Sequence, residues 1–146
     1  MNRLRIQALQ SQMNPHFVFN AMSVIQDYWM KEEAKMALVY HAKFAKLIRL
    51  IFAYSNKFSI YIEQEVEFLK VYLSLEQVRF EGKVEVALNV EDDLLMQQVY
   101  VPPLLIQPLV ENCFKHGLLH KPTKGKVTIE MKNAGDYVYC SIADDG

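Results

Sequence analysis

The chain has little that would tie it to an oxidising compartment, a bilayer or a nucleic acid. Cys113 and Cys140 are its only cysteines. Two are too few for a disulfide framework, so a reducing cytoplasm is the default. No stretch of about 18 apolar residues occurs, so no segment is expected to span a membrane. The opening Met-Asn-Arg-Leu-Arg-Ile-Gln has neither an apolar core nor a cleavage site, which excludes a signal peptide. A net charge of -1 over 146 residues gives no general reason to expect nucleic acid or an acidic membrane surface as a partner. Internal repeats and low-complexity linkers are also missing. What remains is an ordinary globular composition, 51% apolar and 23% charged, whose pattern divides into unequal parts at residues 1–56 and 57–146.

Residues 2–54 read as two helices. The first carries Leu4, Ala8, Phe17, Ala21, Val24, Ile25, Tyr28 and Trp29, mostly at helical spacing. A charged break at Lys31-Glu32-Glu33 separates it from a second run, Ala34 to Tyr54, that is apolar around much of its circumference. A lone hairpin cannot bury so wide a surface, and a four-helix bundle made by two chains is the economical answer. Lys43, Lys46 and Arg49 form a basic stripe that reads as a solvated face. A third helix is expected from Ile62 to Phe80, closed by Glu81-Gly82. Strands are expected at Lys83–Val90, Gln97–Val101, Val127–Met131 and Tyr137–Ile142, the last two joined by the turn Asn133–Asp136. A fourth helix is expected to start at Pro102-Pro103, continue to His116 and stop at Gly117. Helices on one face of a mixed or antiparallel sheet make the second part, and the chain as a whole, α+β.

The run Gln12-Met-Asn-Pro-His-Phe-Val-Phe-Asn20 carries the first candidate chemistry. An imidazole with an unperturbed pKa of about 6.5 is mostly neutral near pH 7, and so a competent nucleophile toward phosphorus. Asn14 can cap a helix whose first residue is Pro15, placing His16 in its first turn. Alternatively one continuous helix runs through and Pro15 kinks it, freeing a carbonyl near His16. Asn20 lies four residues on, at the spacing that shares a helical face. It is placed to hold a water or a phosphoryl oxygen.

The second candidate is Pro108-Leu-Val-Glu-Asn-Cys-Phe-Lys-His-Gly117. On a regular helix Asn112 and His116 share one face, and Glu111 and Lys115 the adjacent one. An amide oxygen suits Mg²⁺, while lysine and histidine suit phosphate oxygens. His116 and His120 stand at metal-ligand spacing, but Gly117 lies between them and no Cys or carboxylate ligand accompanies them at zinc spacing. Gly125-Lys126 is no phosphate-binding P-loop, since the glycine-rich approach and the following Ser/Thr are missing.

Together these segments resemble sensor histidine kinases of the LytS/YehU type. Asn14-Pro-His-Phe-Val-Phe-Asn20 is similar to that family's phosphoacceptor box, with Val18 where leucine is usual. Asn112 through Gly117 resembles the N box of the gyrase/Hsp90/histidine-kinase nucleotide fold, and Asp144-Asp145-Gly146 resembles the start of its first glycine box. The stretch Glu63 to Phe80, with its Arg79-Phe80 ending, also matches the family pattern and reads as packing and helix pairing, with Arg79 in reach of Glu76 or Glu81.

The resemblance implies a dimeric helical phosphoacceptor hairpin followed by an α/β-sandwich nucleotide-binding domain lacking its lid and second glycine box. His16 would be the phosphoacceptor, and Asn20 would assist hydrolysis of the phosphorylated regulator. ATP and Mg²⁺ would be held by Asn112, Lys115, His116, Gly117, Asp144 and Gly146, with Asn112 helping to hold the metal and Asp144 accepting from the adenine amino group. Phe17 stands where many histidine kinases carry a proton-accepting Asp or Glu. Pro108 occupies the place of the general-base glutamate of the gyrase and Hsp90 branches, which favours phosphoryl transfer over rapid ATP hydrolysis. The expected partners are a second copy of the chain and a response regulator, of LytTR type by resemblance. Direct contact with nucleic acid is not expected. The parent would be a bacterial inner-membrane sensor holding this region in the cytoplasm. A dimerisation and signalling module that keeps the fold without the chemistry is the alternative.

Overall fold

A computed structural model describes residues 15–80, 83–92, 99–114 and 124–145, the side chains of Pro15 and His16 excepted. Helix α1 spans Pro15–Met30 and α2 spans Ala34–Ser55. The expected break between them is a tight turn in which Glu32 takes a left-handed φ of 59° and the Glu33 N–H donates to the Tyr28 carbonyl at 2.8 Å. Helix α3 covers Ile62–Arg79. Its first turn carries Glu63 and Glu65, which suit the positive end of the helix dipole. The Gln64 Oε1 atom accepts the Tyr61 N–H at 2.9 Å, meeting a donor just outside the helix.

Strands β1 (Ile60–Tyr61) and β3 (Tyr100–Val101) form a small antiparallel pair. The main sheet has the order β2-β4-β5, with β2 (Val84–Val90) parallel to β4 (Gly125–Ala134) and β4 antiparallel to β5 (Tyr137–Asp144). The sheet is therefore mixed and the chain α+β, as its patterning implied. β4 and β5 run further than the apolar alternation indicated. Ladder pairing carries them to a two-residue loop in which Gly135 takes φ 77°, as a type II′ hairpin turn requires.

The buried residues form one cluster running from Ala21 and Leu47 through Phe68, Leu69, Tyr72 and Leu75 to Val127, Ile129 and Met131. Helix α3 is its centre. The wide apolar surface of α2 is met partly within the chain: Leu47, Ile51 and Tyr54 are buried, and α2 packs against both α1 and α3. Leu38 and Phe52 of α2, with Phe19, Met22 and Trp29 of α1, remain exposed. In the basic stripe, Lys46 reaches Glu67 of α3 at 3.2 Å while Lys43 and Arg49 stay exposed. Among the described residues no helix is long and apolar enough to cross a membrane.

One expectation is corrected. The helix expected from Pro102 instead begins at Gln107, as α4 (Gln107–Asn112). Leu104 takes a left-handed φ of 59°, a conformation that breaks a helix and that a bulky side chain adopts at a cost. The buried Glu65 carboxylate imposes it, accepting the backbone N–H of Leu104 at 2.9 Å and of Ile106 at 3.4 Å.

Candidate functional site

Helix α1 carries His16 in its first described turn and Asn20 four residues later, on unbroken helix. What fixes this turn is Phe17. Its ring lies 6.3 Å from the Phe44 ring of α2 and 5.6 Å from the Tyr72 ring of α3, tilted in both cases, a favoured aromatic geometry. The residue after the candidate nucleophile is thus an anchor, which explains a phenylalanine where an acid could otherwise stand. Asn20 is half-buried.

Beneath Phe17, Tyr72 is fully buried, with the Gln107 side chain in hydrogen-bonding position beside its hydroxyl. The Gln107 Nε2 also donates to Glu111 at 3.0 Å, and an amide nitrogen has a donor for each partner. Burial first, then the carboxylates of Glu76 and Glu111, push the Tyr72 phenol above its ordinary range. A small apolar pocket lined by Phe17, Val18, Leu47, Phe68, Tyr72 and Leu104, with Gln107 at its edge, joins α1, α2 and α3 to the start of α4.

Glu76 is buried one turn further along α3. Burial raises its carboxyl to about 7, Arg79 opposing the shift and Glu111 adding to it. Arg79 reaches Glu76 at 3.4 Å and lies over the Phe80 ring; Phe80 in turn meets Phe114 at 5.2 Å. The Arg-Phe ending of α3 therefore locks the far end of the nucleotide-candidate segment, as the packing reading of Arg79 and Glu76 implied. Glu81 lies outside the described residues.

Helix α4 ends at Asn112, which is exposed, and the backbone widens to π geometry at Cys113 and Phe114. Such widened turns are often found at functional sites. The Cys113 thiol is raised to about 11, chiefly by burial and then by its hydrogen bond to the Asp144 carboxylate. That contact brings the end of β5 against Cys113, the residue that follows Asn112. Asp145 faces the other way: its Oδ1 accepts the Lys126 N–H at 2.8 Å and pins the strand end. Lys115, His116, Gly117, His120 and Gly146 lie outside the described residues. Among the described residues no group of three or more His, Cys, Asp or Glu could hold a metal ion.

The structure therefore sets Asp144 against Cys113, next in sequence to Asn112, and links the turn bearing His16 to α4 through Phe17, Tyr72 and Gln107. The sequence reading passed over Glu65, Tyr72, Gln107 and Cys113. Its one available signal was a glutamate at position 65, on the apolar side of a helix beside Val66 and Leu69.

Residues 4–84 match the family model described as histidine kinase. The chain belongs to the histidine kinase family. It is 35% identical over 141 residues to the sensor protein LytS of Bacillus subtilis, covering 97% of this chain and 23% of that protein. The sensor histidine kinase YpdA of Escherichia coli is 32% identical over 146 residues, covering 99% of this chain and 25% of its own length. The LytS protein of Enterococcus faecalis gives 32% identity over 146 residues, with 100% of this chain and 24% of that relative covered. As a histidine kinase family member, the chain thus spans about a quarter of the length of the curated relatives it matches.

Proposed function

We propose that this chain is the core of a two-component sensor histidine kinase that phosphorylates itself on His16 from Mg-ATP and passes the phosphoryl group to an aspartate of a response regulator. A neutral imidazole nitrogen of His16 attacks the γ-phosphorus. The nitrogen–phosphorus bond forms as the bond to ADP breaks, and the ring proton passes to water or a nearby base. The reading is carried by one observation: the turn that bears His16 and the start of the helix that ends in Asn112 are packed against the same residue, Tyr72.

The residues around Cys113 fit the nucleotide. Asn112 offers an exposed amide oxygen to Mg²⁺, and Asp144 a carboxylate to an amine donor such as adenine. Bound Mg²⁺ would supply neutralising charge to the phosphate oxygens. Lys115, His116, Gly117 and Gly146 are proposed to contact nucleotide, and Asn20 to place the water that hydrolyses the phosphorylated regulator. We divide the chain into a phosphoacceptor and dimerisation part, 1–56, and a nucleotide part, 57–146. A second copy would cover the exposed apolar residues of α1 and α2, completing a four-helix bundle. Incubation with γ-labelled Mg-ATP tests the reading: acid-labile label that chases to a regulator aspartate supports it, and acid-stable label or none opposes it.

A further inference from the structure

We propose that Cys113 is a positioning residue for base recognition: its thiol holds the Asp144 carboxylate so that an acceptor position is left facing the exocyclic amine of an adenine nucleotide. The proposal rests on the nucleotide site described above and not on phosphoryl transfer. Asp144 is exposed at the end of β5, and its main chain is fixed. It stands opposite Val127 in the ladder between β4 and β5. Asp145, the next residue, donates its N–H to the Lys126 carbonyl at 3.3 Å and accepts the Lys126 N–H at 2.8 Å. With the backbone held, the freedom left to an exposed carboxylate is rotation of its own side chain. Freezing such a rotor on binding costs affinity, and holding it beforehand removes that cost.

The Cys113 thiol meets this carboxylate with a hydrogen bond. A thiol donates one proton, whereas an ionised carboxylate accepts at about four lone-pair positions. The bond therefore occupies one position and leaves room for an incoming amine. Cys113 is itself well anchored. It sits where α4 widens to π geometry, with its N–H donated to the Val110 carbonyl. Phe114 beside it is buried, and its ring lies 5.2 Å from that of Phe80. The core thus fixes the turn, and the thiol ties Asp144 to it. Asn112 immediately precedes Cys113, so the amide proposed for the metal and the carboxylate proposed for the base are referenced to one turn. Alanine would leave that backbone intact and the carboxylate unheld.

The test measures nucleotide binding by the full-length protein: wild type, Cys113→Ala, Cys113→Ser, Asp144→Ala and the double variant Cys113→Ala with Asp144→Ala. Mg-ATP is compared with magnesium inosine triphosphate, in which a carbonyl oxygen replaces the adenine amine. We expect Cys113→Ala to lower the ratio of ATP affinity to inosine triphosphate affinity about fivefold, the loss of one modest hydrogen bond. Affinity for inosine triphosphate should stay within about twofold of wild type. Cys113→Ser keeps a donor and should keep the wild-type ratio. In the Asp144→Ala background, Cys113→Ala should change the ratio no further, because its effect passes through the carboxylate. Equal losses for both nucleotides in Cys113→Ala would reduce the thiol to packing and overturn the proposal. An unchanged ratio, or a further fall in the double variant, would do the same. A wild type that binds neither nucleotide, or both equally, also overturns it. If ATP is bound and preferred but no label reaches histidine, the kinase reading fails alone, and the ratio in Cys113→Ala still decides the role of the thiol.

Discussion

The Glu65 carboxylate accepts the Leu104 backbone N–H at 2.9 Å, across 39 residues of sequence and with no access to solvent. This bond, with its weaker companion to Ile106, fixes where α4 begins and hence where Asn112 stands. Glu65→Leu would leave both amide donors buried and unmet. It should lower unfolding free energy by about 3 kcal/mol, read by urea denaturation. Glu65→Gln retains one acceptor oxygen and should lose clearly less. Equal losses in the two variants would mean that packing, and not the carboxylate, sets the loop.

Glu76 gives a pH dependence whose sign is fixed. Burial raises its carboxyl from 4.5 to about 7, against the opposing charge of Arg79 and with Glu111, Tyr40 and Tyr72 nearby. A raised carboxyl favours the folded state below the unfolded-state value, and that contribution is lost as pH rises through about 7. Glu76→Gln cannot ionise. Between about pH 5 and pH 8 it should therefore lose less stability than the wild type, while Glu65, also raised by burial, contributes its slope to both proteins. Parallel pH profiles would contradict this.

Asn112 is exposed and anchors nothing in the core. Asn112→Ala should weaken Mg-ATP binding by about tenfold or more, equivalent to about 1.4 kcal/mol, and leave the thermal midpoint unchanged. Isothermal titration with a melting curve on the same sample separates the two. An unchanged affinity would remove Asn112 from the nucleotide site.

Phe52 and Leu38 are exposed at 63% and 62% on α2. Phe52→Glu should convert a dimer into a monomer in sedimentation equilibrium without unfolding it, because the side chain touches water in the single chain. A monomeric wild type would rule out the bundle.

The helices of the first half and the sheet strands were legible because their apolar periodicity answers to one buried side each, as in Val127, Ile129 and Met131. The start of α4 was not legible. Pro102-Pro103 is a sound local signal for a helix start, but Glu65, far away in sequence, claims the amides of Leu104 and Ile106 for a turn. Candidate residues with their own chemistry, such as Asn112 and Asp144, stand out by residue type and motif. Tyr72 and Gln107 do not, because a tyrosine amid an apolar helix face looks like core until the side chain beside its hydroxyl is seen. Asp145, which stands in the stretch resembling the nucleotide motif, also ties β5 to β4.

The central claim is that His16, among the chain's four histidines, accepts the phosphoryl group. Mass-spectrometric mapping of the phosphorylated protein under basic conditions, beside a His16→Gln variant, tests it most directly. The account predicts a phosphoramidate confined to the peptide containing His16 and lost in the variant. Phosphate on His41, His116 or His120, or undiminished labelling of His16→Gln, would contradict it.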